Sequence, residues 1–233
     1  MRFRTAIIWN GISQFGQSGI TLLSTIILAR MLSPDDFGII GIVTIFIAFS
    51  QMMVDSEMGG ALLRKKTVTN TDYSTLFYYN LVVSIIIYGV LYLISPLIAD
   101  FYHKPPLIEI IRVIGICIVI HAFRVVQRIM IFRDLKFKVY AVINIICGLL
   151  SLGVAIFLAH NGYGYWSLVW QQLCLALSHV VCLEIYNKFI PSFTFSKESF
   201  KYQFKFGISL FGSDSIRTIA NNISTNIIAN VSA

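Results

Sequence analysis

The residues of this chain best suited to binding an anion lie inside an apolar stretch. His121, Arg124 and Arg128 are three and four residues apart within the run Ile108–Phe132, and on an α-helix that spacing places them on one face. Each guanidinium group can donate two charge-assisted hydrogen bonds to a phosphate. Arg124 and Arg128 are therefore candidates for binding a phosphate or pyrophosphate group. The alternative is that their side chains extend to the aqueous surface of a membrane, with His121 as a packing residue.

The first apolar run carries amide and hydroxyl side chains at a regular helical spacing. Asn10, Gln14, Gln17, Thr21 and Ser24 follow one another at steps of 4, 3, 4 and 3 residues, so one helical face holds all five. Two interpretations stay open. Hydrogen bonds to neighbouring helices would make this face a packing seam. Contact with water would make it a cavity wall that binds polar sugar, with Asn10, Gln14 and Gln17 as the binding residues.

Carboxylates inside the apolar runs are candidates for coupling transport to a proton or cation, because an ionisable group in a membrane is costly and usually functional. Asp55 lies near the end of the second run, and Asp214 lies in the last run. For Asp55 the alternative is an ion pair with the basic loop that begins at Arg64. Asp214 and Arg217 are three residues apart and can pair along a helix, and Arg217 is a third candidate for a cationic pyrophosphate site.

Membrane-spanning helices are expected to position these residues, because the chain is unusually apolar. Hydrophobic residues make up 57% of its 233 residues and charged residues 12%, against about 25% charged in soluble domains. A helix crosses the ~30 Å hydrocarbon core in about 20 apolar residues. We therefore predict an all-α integral membrane protein with a six-helix transmembrane lobe and a seventh helix. The predicted spans are Thr5–Leu32, Ile39–Leu63, Thr75–Ala99, Ile108–Phe132, Phe137–Ala159, Tyr165–Asn187 and Gln203–Asn230.

The last predicted span ends three residues before Ala233. This pattern predicts three parts: residues 1–188 as an N-terminal six-helix lobe, residues 189–202 as a cytoplasmic linker, and residues 203–233 as the first, truncated helix of a second lobe. We therefore expect the chain to be part of a longer protein.

The basic charge of the chain follows a topological pattern. The net charge is +7, and twelve of the 18 Lys and Arg residues lie before the first predicted span or after the second, fourth and sixth. Loops rich in Lys and Arg stay in the cytoplasm. We therefore predict a cytoplasmic N-terminus, and the basic charge does not indicate binding of nucleic acid.

Motifs for enzymatic chemistry are absent from the sequence. It has no P-loop, no His-Glu-x-x-His zinc motif, no nucleophile elbow and no dinucleotide-binding fingerprint. The cysteines Cys117, Cys147, Cys174 and Cys182 lie inside predicted spans without metal-ligand spacing. The sequence therefore predicts a protein that is not an enzyme and that has no cofactor and no metal.

Several short motifs follow one another along the chain. Leu28–Gly38 reads LARMLSPDDFG and ends the first predicted span. The further segments are Asp55–Arg64, Ser74–Leu81, Leu135–Phe137 and Gly162–Val169. Together and in this order they resemble motifs of bacterial polysaccharide flippases, which belong to the multidrug/oligosaccharidyl-lipid/polysaccharide superfamily. The resemblance covers nearly the whole chain, although Glu57 stands where the family usually has Gly.

The resemblance implies a fold of two six-helix lobes and transport by alternating access between them. It implies translocation of undecaprenyl-pyrophosphate-linked oligosaccharides across the bacterial cytoplasmic (inner) membrane, for export of polysaccharide, lipopolysaccharide or O-antigen. The implied partners are the lipid-linked oligosaccharide, membrane lipid and other polysaccharide assembly proteins. With this substrate, Arg124, Arg128 and Arg217 would contact pyrophosphate.

Three alternatives to a flippase stay open. A small-molecule multidrug exporter of the same superfamily would be expected to depend on Asp55 or Asp214. The chain could also be an inactive remnant. The last alternative is an integral-membrane polysaccharide polymerase, and the short outer loops argue against it.

Overall fold

Every regular element of the computed structural model, which describes residues 2–54 and 58–207, is a helix. The helices are α1 (Arg2–Ala29), α2 (Pro34–Val54), α3 (Met58–Arg64), α4 (Asn70–Tyr102), α5 (Leu107–Arg133), α6 (Phe137–His160) and α7 (Trp166–Asn187). Residues 197–207 form a further helical segment. The predicted all-α class is confirmed. Each of the first six predicted spans corresponds to one helix, except that α2 and α3 together occupy the second.

Five of the described helices are long and apolar enough to cross a membrane. They are the stretches Ile8–Ala29, Pro34–Met52, Asn70–Tyr102, Phe137–His160 and Trp166–Asn187. The fourth predicted span is not among them. It corresponds to α5, whose 27 residues include four arginines; at ~1.5 Å per residue the helix is about 40 Å long, enough to cross the bilayer. The protein is thus a multi-pass membrane protein.

α5 is the central helix of the bundle. It packs against α2, α3, α4, α6 and α7, and 13 of its 27 residues are buried. Ile110, Ile111, Ile114 and Ile118 are inaccessible to solvent. α5 is therefore enclosed mainly by protein, which explains how a helix with this many charges can lie inside a membrane protein. α1 packs chiefly against α6 and keeps much of its surface exposed.

Asp36 joins the α1–α2 connection to the α6–α7 connection. Its carboxylate accepts hydrogen bonds from the Ser33 backbone N–H at 3.0 Å and from the Tyr165 backbone N–H at 3.1 Å. Gly164 has a φ of +52°, and a Cβ atom there would lie 3.3 Å from Asp36 Oδ1. A side chain at this position would be strained both by the left-handed backbone and by the carboxylate. These two connections are therefore held together by specific contacts.

α4 begins earlier than predicted because a capping box fixes its first turn. Thr69 Oγ1 accepts a hydrogen bond from the Asp72 backbone N–H, and the Asp72 carboxylate accepts one from the Thr69 backbone N–H at 2.9 Å. The same carboxylate pairs with Lys65 at 2.8 Å and accepts a hydrogen bond from Ser199 Oγ at 2.6 Å. Gln203 donates to the Asp72 carbonyl oxygen at 3.2 Å. Asp72 thus joins α4 to the helical segment 197–207.

The segment that follows α7 is also fixed to the start of α4. The Ser192 backbone N–H donates to Ser74 Oγ at 2.9 Å, and the Ser196 backbone N–H donates to Thr75 Oγ1 at 3.1 Å. The next helical segment begins at residue 197, within the predicted linker. The division of the chain into a lobe, a linker and a second lobe stays a prediction, and the seventh predicted span lies mostly outside the described residues.

Candidate functional site

α1 exposes two chemically different faces. Phe15 is 82% exposed and shares its side of the helix with the exposed Leu22 and Ile26. Asn10 and Gln14 are also exposed, but they lie about 120° away around the helix. Lipid can cover the apolar face, whereas it offers no hydrogen bonds to amides. The face with the amides is therefore expected to adjoin water or other protein.

One edge of the polar face of α1 forms hydrogen bonds with the neighbouring helices. Asn144 Nδ2 of α6 donates to Ser13 Oγ at 2.8 Å, and Gln171 Nε2 of α7 donates to Ser24 Oγ at 2.7 Å. Of the five regularly spaced polar residues in α1, Ser24 thus belongs to a packing seam. The sugar-binding role of the exposed amides stays a prediction.

A cavity of about 220 Å³ with a mostly apolar lining lies between α1, α6 and α7. Its polar lining includes Gln17, Thr21 and Thr25 from α1 and Gln171 and Gln172 from α7. Gln17 Oε1 is buried and has no hydrogen-bond partner among residues 2–54 and 58–207. An unpaired buried polar atom costs about 1–3 kcal/mol. The cavity adjoins this oxygen, and a sugar-binding role for Gln17 stays a prediction.

Arg124 lies near two histidines where α5 packs against α7. Its charge acts on the imidazoles of His121 in α5 and His179 in α7. His179 is 5% exposed, and neither of its ring nitrogens has a hydrogen-bond partner in the described part of the chain. Arg124 and Arg128 are both half-buried. Sequence reasoning missed His179; its position seven residues after Gln172 shows that the two share one face of α7, but not that this face lies near Arg124.

Gln127 connects α5 to α7 next to the cationic residues. Asn187 Nδ2 donates hydrogen bonds to the carbonyl oxygen and to Oε1 of Gln127, both at 2.9 Å. Gln127 Nε2 in turn donates to the Glu184 carboxylate. Gln127 itself is only 2% exposed, although Glu184 is exposed, so these bonds are partly shielded from solvent. They restrict rotation of α5 against α7, and this holds Arg124 and Arg128 in place.

Asp55, Asp214 and Arg217 lie outside the described residues, so their proposed roles stay predictions. Arg112 lies elsewhere, with Nε donating to Ser95 Oγ at 3.2 Å and its guanidinium 4.2 Å from the centre of the Tyr92 ring, and it serves the packing of α5 on α4. In the described ranges, His, Cys, Asp and Glu side chains nowhere meet in a group of three that could hold a metal ion.

Five apolar helices long enough to span a membrane and a central helix with half-buried cations together define a multi-pass membrane protein. The family of proteins to which it belongs follows from comparison of its sequence. Residues 27–233 match the family model described as polysaccharide biosynthesis protein, and the chain belongs to this family.

Three curated relatives share part of the sequence. The chain is 26% identical to the teichuronic acid biosynthesis protein TuaB of Bacillus subtilis over 92% of its own length, and 26% identical to the succinoglycan biosynthesis transport protein ExoT of Rhizobium meliloti over 88%. It is 23% identical to the lipopolysaccharide biosynthesis protein WzxC of Escherichia coli over 96%. These matches cover 45%, 42% and 46% of the relatives, so the chain spans slightly less than half of their length. No solved structure gives a significant match.

Proposed function

We propose that this protein takes part in moving lipid-linked oligosaccharides, carried on undecaprenyl pyrophosphate, across the bacterial cytoplasmic membrane. Its family and the transport and biosynthesis names of its relatives support this function. The described helices would form one lobe of a two-lobe transporter, because the chain aligns with less than half of each relative. Alternating access between the lobes would move the head group, and the protein would transport its substrate without altering it.

The observation that carries the proposal is the position of Arg124 and Arg128 on the central helix. Both are half-buried on α5, and the Gln127 hydrogen bonds hold α5 against α7. Cations in a region of low dielectric constant attract an anion strongly, and a guanidinium group matches the geometry of phosphate oxygens. We assign Arg124 and Arg128, with Arg217 from the last predicted span, to the pyrophosphate.

Sugar residues would contact the polar side of α1. Gln17 has an unpaired buried oxygen next to the 220 Å³ cavity, and Asn10 and Gln14 extend the amide row on the exposed side of the same helix. Amides both donate and accept hydrogen bonds, as sugar hydroxyls do. We therefore assign Asn10, Gln14 and Gln17 to the oligosaccharide.

The test uses Arg124→Ala and Arg124→Lys in a strain that lacks the chromosomal copy. Loss of charge-assisted hydrogen bonds, worth roughly 1.5–3 kcal/mol each, would lower transport by about 10-fold to 150-fold in Arg124→Ala. Arg124→Lys keeps the charge and loses the forked geometry, so its transport rate should lie between those of the unaltered protein and Arg124→Ala. Transport is measured as lipid-linked oligosaccharide that accumulates on the cytoplasmic side and as polysaccharide that reaches the cell surface.

Arg30→Ala is the matched control, because Arg30 is exposed and lies just beyond the end of α1. It should transport normally, and membrane abundance of each variant is measured by immunoblot. Full transport activity of Arg124→Ala at normal membrane abundance would contradict a role of Arg124 in binding the pyrophosphate.

We also propose that the N-terminus faces the cytoplasm, since the basic connections would then all lie inside. Alkaline phosphatase fused after Lys104 should be active, because this enzyme matures only outside the cytoplasm, and the same fusion after Lys66 should be inactive. The reverse pattern of activity would show that the N-terminus lies outside the cytoplasm.

A further inference from the structure

A groove runs along the outer surface of α6 and α7. One part has a volume of about 1010 Å³ and is lined by apolar side chains such as Leu150 and Phe157 of α6 and Leu177 of α7. A second part, of about 440 Å³, extends to Lys138 at the start of α6. Cys182 lines both parts. The two parts therefore adjoin at Cys182, and we call them together the α6–α7 groove.

The α6–α7 groove faces away from the proposed path of the oligosaccharide. Leu177 is 49% exposed and Val181 is 53% exposed, and roughly half a helical turn separates them from Gln172 and His179 on the polar side of α7. A molecule in the groove would therefore contact the bilayer, and the proposed pyrophosphate site lies on another side of the bundle.

The end of the groove at the start of α6 is basic and aromatic. Lys138 and Tyr186 line it. The Lys138 ammonium lies 5.4 Å from the centre of the Trp9 ring, and the Lys136 ammonium lies 5.4 Å from the centre of the Tyr186 ring. Lys136 Nζ forms an ion pair with Asp134 Oδ2 at 2.8 Å, whereas within residues 2–54 and 58–207 Lys138 has no carboxylate partner. Aromatic and basic side chains of this kind are typical of the head-group region of a membrane.

We infer that the α6–α7 groove binds a membrane phospholipid with an anionic head group. Its phosphate lies at Lys138, and one acyl chain runs along the apolar groove past Cys182. An apolar groove that ends in an uncompensated ammonium complements a molecule with an apolar chain and one anionic end. The groove and the proposed pyrophosphate site lie on different sides of α7, and this separation favours a resident phospholipid over the transported lipid carrier.

The experiment reconstitutes the protein in nanodiscs that contain phosphatidylglycerol or phosphatidylcholine with a photoactivatable diazirine on one acyl chain. After illumination, the crosslinked residues are identified by mass spectrometry. The phosphatidylglycerol probe should label α6 and α7 residues around Cys182 more than the phosphatidylcholine probe does. One lysine near the head groups contributes about a fivefold preference for anionic lipid, so Lys138→Gln should reduce this preference about fivefold.

Val142→Trp provides a second, independent variant. Val142 lines the 440 Å³ part of the groove and is 42% exposed, so a larger side chain can occupy the groove without entering the core. It should abolish labelling around Cys182. The matched controls are Lys66→Gln, an exposed lysine away from the groove, and Val90→Trp, at a 53% exposed position on α4; both should keep the labelling.

Three results would overturn the inference. The first is equal labelling by the two probes, and the second is an unchanged preference in Lys138→Gln. The third is displacement of the phosphatidylglycerol probe by undecaprenyl phosphate but not by unlabelled phosphatidylglycerol, which would assign the groove to the lipid carrier. None of these results depends on oligosaccharide transport, so the inference can fail while the proposed function holds.

Discussion

Replacement of Asp72 by alanine should release the segment that follows α7 from the start of α4. The Asp72 side chain is 4% exposed and pairs with Lys65. Its carboxylate also accepts hydrogen bonds from the Thr69 backbone N–H at 2.9 Å and from Ser199 Oγ at 2.6 Å. Asp72→Ala removes all of these acceptors together, and it leaves Ser199, which is buried, without this partner.

The magnitude follows from these contacts. The cap and the Lys65 ion pair stabilise the start of α4 itself, so only the Ser199 hydrogen bond enters the opening of the segment. A hydrogen bond to a charged group contributes about 1.5–3 kcal/mol. Local opening of the segment should become easier by that amount, which corresponds to roughly 10-fold to 150-fold in the equilibrium constant for opening.

Limited trypsin digestion in detergent measures this opening, because Lys197 and Lys201 are exposed cleavage sites on the released helical segment. When cleavage is slow compared with closing, its rate follows the population of the open form, so Asp72→Ala should be cut about 10-fold to 150-fold faster there. Asp134→Ala is the matched control, since it removes an ion pair between two exposed residues, Asp134 and Lys136. Equal cleavage rates for Asp72→Ala and the unaltered protein would refute the view that Asp72 holds the segment in place.

Two glycines give further tests by thermal unfolding. A Cβ atom at Gly115 would lie 2.8 Å from the ring of Tyr88. The Tyr88 hydroxyl donates a hydrogen bond to a carbonyl oxygen of α5 at 3.1 Å, which holds the ring in place. Overpacking of this kind costs about 1–3 kcal/mol, so Gly115→Ala should lower the Tm. Gly89→Ala is its control, because a Cβ atom there meets no atom within 4 Å, and an equal loss of stability in both variants would contradict the packing argument. Gly164→Ala should cost about 1 kcal/mol or more from its left-handed backbone alone, and a further loss is expected from the Asp36 carboxylate; an unchanged Tm would show that the connection can rearrange.

The motifs first noticed as a family resemblance have structural roles in the described fold. Asp36 in the first motif accepts a hydrogen bond from Tyr165 in the last one, although they are far apart in the chain. Ser74 and Thr75, from another motif, accept hydrogen bonds from the segment after α7. These residues therefore stabilise connections between helices, and the candidate binding residues lie elsewhere, on α1 and α5.

Helix positions could be predicted closely because they depend on local properties. Runs of about 20 apolar residues, interrupted by turn residues and basic loops, predict membrane-spanning helices without knowledge of neighbours. Both α2 and α4 begin five residues before their predicted spans, and the shift of α4 came from the capping box of Thr69 and Asp72. That motif can be recognised in a sequence, but the long apolar run behind it dominated the assignment.

Contacts between helices could be predicted only in part. The regular spacing of polar residues in α1 showed that they share one side of a helix. It gave no indication that Ser24 bonds to Gln171 while Asn10 and Gln14 stay exposed. The proximity of His179 to Arg124 likewise depends on how α7 is rotated against α5, and spacing within one helix carries no information about that rotation.

By itself the sequence determined that the protein is a helical membrane protein, where its helices lie and which family it resembles, since hydropathy and short motifs are properties of local segments. Only the tertiary structure decided that α5 is the central helix, that Gln17 has an unpaired oxygen next to a cavity, and that a groove follows α6 and α7. Each of these depends on the distance and rotation between helices that are remote in the chain. Side-chain packing sets these quantities over the whole bundle at once.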